Sequence, residues 1–331
     1  LRDNRIEHAI LEYGVTDDGM IGLEDSQLTI ENTTLDQTTR RRIRTIDSSL
    51  IVRNSVFTNI TDPGEPAATD NRSEHIWGRG VPTDGQWILD GNQFGHITGH
   101  NDSVDFDAPR RPAPVPIIRN NVFNGGGDDA LDMTGDVYIE GNLFRNFIKD
   151  EFNQDPGESN TISASDGEFW VLRNVFENVQ HASLVKEDAF MHFLHNTVAS
   201  ASSSPLYFDL PGQTTGPGRG ADVQGSIFVT EAPTFAYVSD DVDLSVSNSF
   251  LPTAEFDLGM GNRFGDPHVG DSHADYELLT GSPAIGSGPN GVDMGARLGD
   301  GAILAGVPSS PTASTNATIG VGGADITHYR Y

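Results

Sequence analysis

The chain has 331 residues, with 48 acidic side chains against 20 Lys and Arg and a formal net charge of −28. A field of that sign excludes nucleic acid and anionic membrane surfaces as partners. No run of about 18 apolar residues occurs, which excludes a membrane-spanning helix, and no cysteine is present to form a disulfide. The cations are unevenly chosen, with two Lys (Lys149 and Lys186) and 18 Arg, while 33 of the acids are Asp. Such a surface favours divalent cations, above all calcium. Leu1 stands where an initiating Met is usual, as expected of a mature or excised piece.

In chain order, Ile6 to Tyr13 (IEHAILEY) reads as the outer part of an early coil, and Leu28-Thr29-Ile30-Glu31-Asn32 as a looser first version of a repeat. The repeat is then an aligned N-x-[F/V] step. It recurs at Asn54-Ser55-Val56, Asn92-Gln93-Phe94, Asn121-Val122-Phe123, Asn142-Leu143-Phe144, Asn174-Val175-Phe176, Asn196-Thr197-Val198, Ser226-Ile227-Phe228 (Ser for Asn) and Asn248-Ser249-Phe250. Successive steps are 38, 29, 21, 32, 22, 30 and 22 residues apart. The short steps define a unit, and the long ones are that unit plus an insertion. Most carry an apolar residue three before the Asn, as at Leu89, Ile118, Ile139 and Val171. A repeat of this length without helical periodicity predicts a solenoid of β-coils, in which each coil contacts only its neighbours. Stacked Asn amides are expected to bond from coil to coil, and the following Phe to form a buried column.

Four segments exceed the minimal coil: 61–85, 96–115, 147–166 and 199–220. Rich in Pro, Gly, Asp and Thr, they are expected as loops that wall a groove. The coils fill residues 1–263. Residues 264–298 form a turn-rich closing tail, with Tyr276, Leu278, Leu279, Ile285 and Met294 as packing candidates. Residues 299–315 read as a linker and 316–331 as the start of a further, truncated β domain.

At this point the chain resembles the right-handed parallel β-helix superfamily, whose members include pectate lyases and polygalacturonases and which occurs in secreted multi-domain bacterial surface proteins. The resemblance rests on the V-x-x-N-x-F steps over roughly residues 20–260, and on the tail Thr280-Gly281-Ser282-Pro283-Ala284-Ile285 followed by Asp293-Met294-Gly295-Ala296. It implies an all-β, right-handed parallel β-helix of about nine to ten coils. It also implies a secreted or cell-surface location, an acidic polysaccharide as partner and further domains on the same polypeptide.

Aligning the coils places Val104, Leu131 and Ile162 inward, so Asp105, Asp132 and Ser163 stack on the outer face, with Asp102 and Asp129 at the strand entrance. Tyr207 and Tyr237 fall on the same outer row, as candidates to stack on sugars. Asp102, Asp105, Asp128, Asp129, Asp132 and Lys186 are therefore the candidate catalytic residues. Close carboxylates serve general acid and base chemistry at a glycosidic bond or hold calcium, and the candidate calcium ligands are Asp128, Asp129, Asp132 and Asp188. Arg79, Arg110 and Arg111, in or beside the insertions, are candidates for binding substrate. The order Asn101-Asp102, Gly127-Asp128-Asp129 and then Lys186 resembles the polygalacturonase layout of N-T-D, G-D-D and R-I-K. The histidine of that family's G-H-G falls here on Asn160, and the Arg of its R-I-K on Leu184. Three readings stay open: a glycoside hydrolase, a polysaccharide lyase using Lys or Arg as base, and a non-catalytic structural or adhesive module stiffened by calcium. The basic run Arg40-Arg41-Arg42 with Arg44 reads as a solvated edge, as an inter-module contact or as a contact for an anionic glycan.

Overall fold

The computed structural model describes residues 4–14, 19–61, 73–154, 157–208, 216–230, 232, 235–237, 242–254, 259–270 and 276–296, with backbone alone for Tyr237 and for two short strands beyond 300. The chain winds as a parallel β-helix. Each coil lays one strand in each of three sheets, and the sheets hold ten, eleven and nine strands in sequence order. Every neighbouring pair within these sheets is parallel, for example Trp87–Asp90 on Ile117–Arg119 and Val104–Asp107 on Leu131–Thr134. Among the described residues there is no α-helix. The early segment joins as predicted, with Arg5–Glu7 in the first sheet and Ile10–Glu12 in the second.

The strands are short because the chain must turn after each. The turn between the first and second sheets repeats one device, a left-handed residue followed by a ladder residue. Gly91, Asn120, Gly141 and Gly225 take the left-handed position, with φ between 55° and 70°, a region Gly and Asn enter at least cost. The ladder follows: Asn92, Asn121, Asn142, Asn174 and Asn196. Each Oδ1 accepts from the backbone N–H of the previous coil, and amide-to-amide bonds of 2.9–3.1 Å join the Asn side chains. Ser55, Ser226 and Ser249 extend the ladder at its ends. Two repeat steps are therefore one residue out of register. Asn54 and Asn248 are the left-handed residues (φ 47° and 46°), and Ser55 and Ser249 occupy the ladder position.

The inward column runs Phe57, Phe94, Phe123, Phe144 and Phe176, with ring centroids 4.5–5.3 Å apart. The next coil offers only Val198 at this position, and Phe193 from the first sheet fills the space, 5.7 Å from Phe176 and 5.9 Å from Phe228. By the same one-residue shift Phe250 does not join the column. It pairs with Ile227 and packs outside with Ala284 and Met294, while Leu251 points inward. Replacing Asn142 with Ala removes four hydrogen bonds at a site with no access to water. The expected cost is about 3 kcal/mol, read as a fall in the denaturant midpoint with unchanged m-value.

The four segments expected as projecting loops each also carry a third-sheet strand: Ile76–Arg79, Val104–Asp107, Asn160–Ser165 and Leu206–Tyr207. The surplus residues flank those strands on either side, as at 96–103 before Val104 and 108–116 after Asp107, and parts of 61–85 and 199–220 lie outside the described residues. The tail folds back along the outer face of the second sheet. Tyr276 and Ala296 pack on Val175, Leu143 and Ala199; Met294 and Leu278 pack with Ile227 and Phe250. Leu279 and Ile285, expected to pack, are half exposed, because the tail turns them away from the sheet. The expected linker and following domain lie outside the described residues, apart from an antiparallel pair, Ile303–Ala305 with Gly320–Gly322.

Candidate acidic site on the third sheet

The outward row of the third sheet reads Arg44, Trp77, Asp105, Asp132, Ser163, Leu184 and Tyr207 on successive strands, and Tyr237 is in backbone register with Tyr207. Asp105 and Asp132 are thus one strand apart, about 4.8 Å along the sheet. Two residues further along the strands lies a second outward row, with Arg79, Asp107, Thr134, Ser165 and Lys186. The direction of Lys186, ambiguous by one residue in the sequence, is outward. Its Nζ reaches back across two strands to within 3.9 Å of Asp132 Oδ1.

At the strand entrance a second ladder forms, built partly of acids. Asp102 Oδ1 accepts from the Asp129 N–H at 3.1 Å, and Asp129 Oδ1 accepts from the Asn160 N–H at 2.7 Å and the Asn160 amide at 3.3 Å. Asn160 is in turn in register with His181. Asp128 joins from the side, its Oδ2 3.1 Å from His100 Nε2. Oxygens of Asp102, Asp128 and Asp129 all lie within 4.8 Å of one another. The 147–154 segment supports this turn from below: Asp150 accepts from the Gly99 N–H, and Asn153 donates to the Gly127 carbonyl. A Cβ at Gly127 would stand 2.4 Å from the Asp150 carboxylate, so a larger residue there would displace that side chain.

Crowding like charges out of water favours the proton. Burial, then Asp128 and Asp129, push the Asp102 carboxyl well above the ordinary range. Burial and Asp132 push Asp105 up to about 8. Burial and Asp132 also raise Asp129, to about 7, against the opposing effect of Lys186 and the Asn160 hydrogen bonds. For Lys186 burial pulls the ammonium down, but Asp132 and Asp129 outweigh it and hold its pKa above the usual value.

The structure thus gathers Asp102, Asp128, Asp129, Asp132 and Lys186, with Asp105 one strand away. Other expected residues lie elsewhere. Asp188 is in the turn at the opposite end of its strand, paired with Arg219, and does not join Asp128 and Asp129; Asp102 takes that place. Arg110 pairs with Asp166, and Arg111 crosses to the first sheet, where its guanidinium sits 3.8 Å over the Trp170 ring. Arg79 is exposed on the third sheet, and Tyr207 stacks on His181 at 4.9 Å. Side chains to which the sequence reading gave no role include His100, Asn153, Asn160 and the buried His181, whose Nε2 lies 2.5 Å from Oε2 of the exposed Glu158. Coil register could have found Asn160, because Ile162 aligns with Leu131 and hence Asn160 with Asp129. His100 and Asn153 lie in insertions where no period applies.

A calcium ion takes six to eight oxygens at about 2.3–2.6 Å. The three gathered carboxylates fit as part of such a set, whereas Asp132, engaged by Lys186, and Asp188, engaged by Arg219, do not. Compared with known proteins, the chain matches no family model, no curated protein and no solved structure. Fold and site together define a parallel β-helix with an acid ladder on its third sheet.

Proposed function

We propose that the chain is a carbohydrate-active module of the pectate lyase and polygalacturonase type, exported from the cell, which hydrolyses an acidic polysaccharide laid across its third sheet. The observation that carries this reading is the meeting of Asp102, Asp128 and Asp129 from two successive coils, their oxygens within 4.8 Å. In the proposed reaction the Asp102–Asp129 pair, whose surroundings favour the proton, protonates the leaving glycosidic oxygen as the C–O bond breaks. Asp128 takes the proton of the water that adds to the anomeric carbon. Lys186 is the group to meet a uronate carboxylate, with Arg79 further along the sheet and Tyr207 and Tyr237 on the far side. Hydrolysis is preferred to elimination because Asp132 and Asp129 hold Lys186 protonated, and a protonated amine cannot remove the proton α to a carboxyl.

The same three carboxylates favour a second reading, a non-catalytic surface module whose turns are tied by calcium held on Asp102, Asp128 and Asp129. The two separate in one experiment. The protein is incubated with pectic, alginate and sulfated glycans, in calcium and in chelator, while new reducing ends and ultraviolet absorbance of unsaturated products are followed. Reducing ends without absorbance are expected. Absorbance would replace hydrolysis with elimination. No product on any glycan, together with a large calcium-dependent rise in melting temperature, would leave the structural module.

A further inference from the structure

The chain is strongly acidic, yet one end of the outward row of the third sheet is basic. Arg44 and Trp77 are in direct register there, next to Asp105. Arg41 reaches over the Trp77 ring at 4.4 Å, and the Arg44 guanidinium stands 5.9 Å from the same ring. Arg79 sits two residues beyond Trp77 on the same strand, exposed and without an ion pair among the described residues. Arg41 is already neutralised: its Nε lies 2.7 Å from Oε2 of the fully buried Glu74. It therefore serves as a fixed cover on Trp77, holding the ring and the neighbouring Arg44 side chain in place. Arg42 of the same run takes no part. It is buried, its guanidinium donating to Thr38 O, Thr58 O and Asn59 O, which corrects the reading of this run as a solvated edge.

Resting on the hydrolase reading above, we infer that Arg44 and Arg79, set around Trp77, form a distal subsite that binds the carboxylate of an acidic sugar two to three residues away from the bond that is cut. The strand spacing supplies the ruler. Trp77 lies two strands from Asp132 and Arg44 three, which is about 10 and 14 Å at 4.8 Å per strand. A pyranose repeat is close to that spacing, so a chain lying across the strands sets one sugar over each. The terrain between is compatible with a polyanion along the first row, because Asp132 is paired with Lys186 and burial and Asp132 push Asp105 up to about 8; Asp107 stands on the second row, in register with Arg79. The subsite makes the protein selective for chains long enough, and acidic enough, to span from Lys186 to Arg44.

The test uses the Asp129→Asn protein, so that turnover is slowed while binding is read, and titrates it with a galacturonate hexamer, a galacturonate dimer and a methyl-esterified hexamer by calorimetry. Removing both guanidiniums (Arg44→Gln with Arg79→Gln) is expected to weaken the acidic hexamer at least tenfold. The dimer should stay within twofold, and the salt dependence of hexamer binding should flatten. Arg44→Lys should restore part of the loss. Binding should also quench tryptophan fluorescence, and Trp77→Phe should remove that response. If the double variant holds the hexamer as tightly as its parent, the subsite is wrong while the hydrolase reading stands. If the parent binds neither hexamer nor dimer, the acidic-polysaccharide reading fails and the subsite with it.

Discussion

Replacing Asp129 with Asn is expected to lower the turnover of a cleaved polysaccharide by about 10²–10⁴-fold, the usual worth of a general acid or base, while the melting temperature stays level or rises. The combination is diagnostic because of how Asp129 is used. Its Oδ1 is a ladder acceptor for the Asn160 N–H, and an amide oxygen can accept that bond as a carboxylate does, as the Asn ladder between the other sheets demonstrates. The substitution also removes one of several crowded like charges. Asp102→Asn should behave in the same way, since its Oδ1 accepts from the Asp129 N–H. Alanine at either position loses the ladder bond as well and should destabilise. In the active protein, kcat/KM should fall as pH rises through about 7, where Asp129 gives up its proton. Full turnover in both Asn variants would move the chemistry away from this ladder altogether.

Stability should fall as pH rises from 5 to 9 when chelator is present. Asp102, Asp105 and Asp129 all have folded-state pKa values above that of an unfolded carboxylate, at about 8 for Asp105 and about 7 for Asp129. Between roughly pH 4 and those values the folded chain holds more protons than the unfolded one, so each unit of pH costs stability. Above about 8 the contributions of Asp105 and Asp129 level off. A decrease of at least about 5 °C in melting temperature is expected across the window. Asp105→Asn should flatten the upper part of it. Calcium, if held by Asp102, Asp128 and Asp129, should flatten the lower part by replacing the protons as the charge that offsets them. A melting temperature that is constant or rises between pH 5 and 9 in chelator would mean that these acids are solvated and uncrowded.

Much of this was legible in the sequence, because a solenoid writes its geometry as spacing. The apolar residue three before most of the Asn and the Phe or Val two after them pointed to the first and second sheets. Aligning Val104, Leu131 and Ile162 was enough to stack Asp105 on Asp132 and to place Tyr207 and Tyr237 on the same row. What failed was local. Asn54 and Asn248 match the motif letter for letter, but the ladder accepts Ser as well as Asn and the turn accepts Asn as well as Gly, so the sequence permits two registers one residue apart. Only packing decides, through Phe57 inside and Phe250 outside. Side chains that reach across coils carry no period at all. Lys186 bridging two strands to Asp132 depends on the reach of its side chain, and Arg111 turning to Trp170 and Asp188 pairing with Arg219 depend on loop paths that spacing does not encode.

The tail has a mechanical consequence. From Tyr276 to Ala296 it lies along one flank of the later coils, touching side chains from Leu143 to Phe250 that belong to five different turns of the winding. It also bonds directly to two of those turns, from the Gly295 N–H to Gly225 O and from the Ala296 N–H to Thr197 Oγ1. A stack of coils can shed its members one at a time from an end, but coils joined by a lengthwise splint must let go together. The half of the rod that bears the tail is therefore built to open as one block, while the coils before it, held only by the turn above and the turn below, can fray singly.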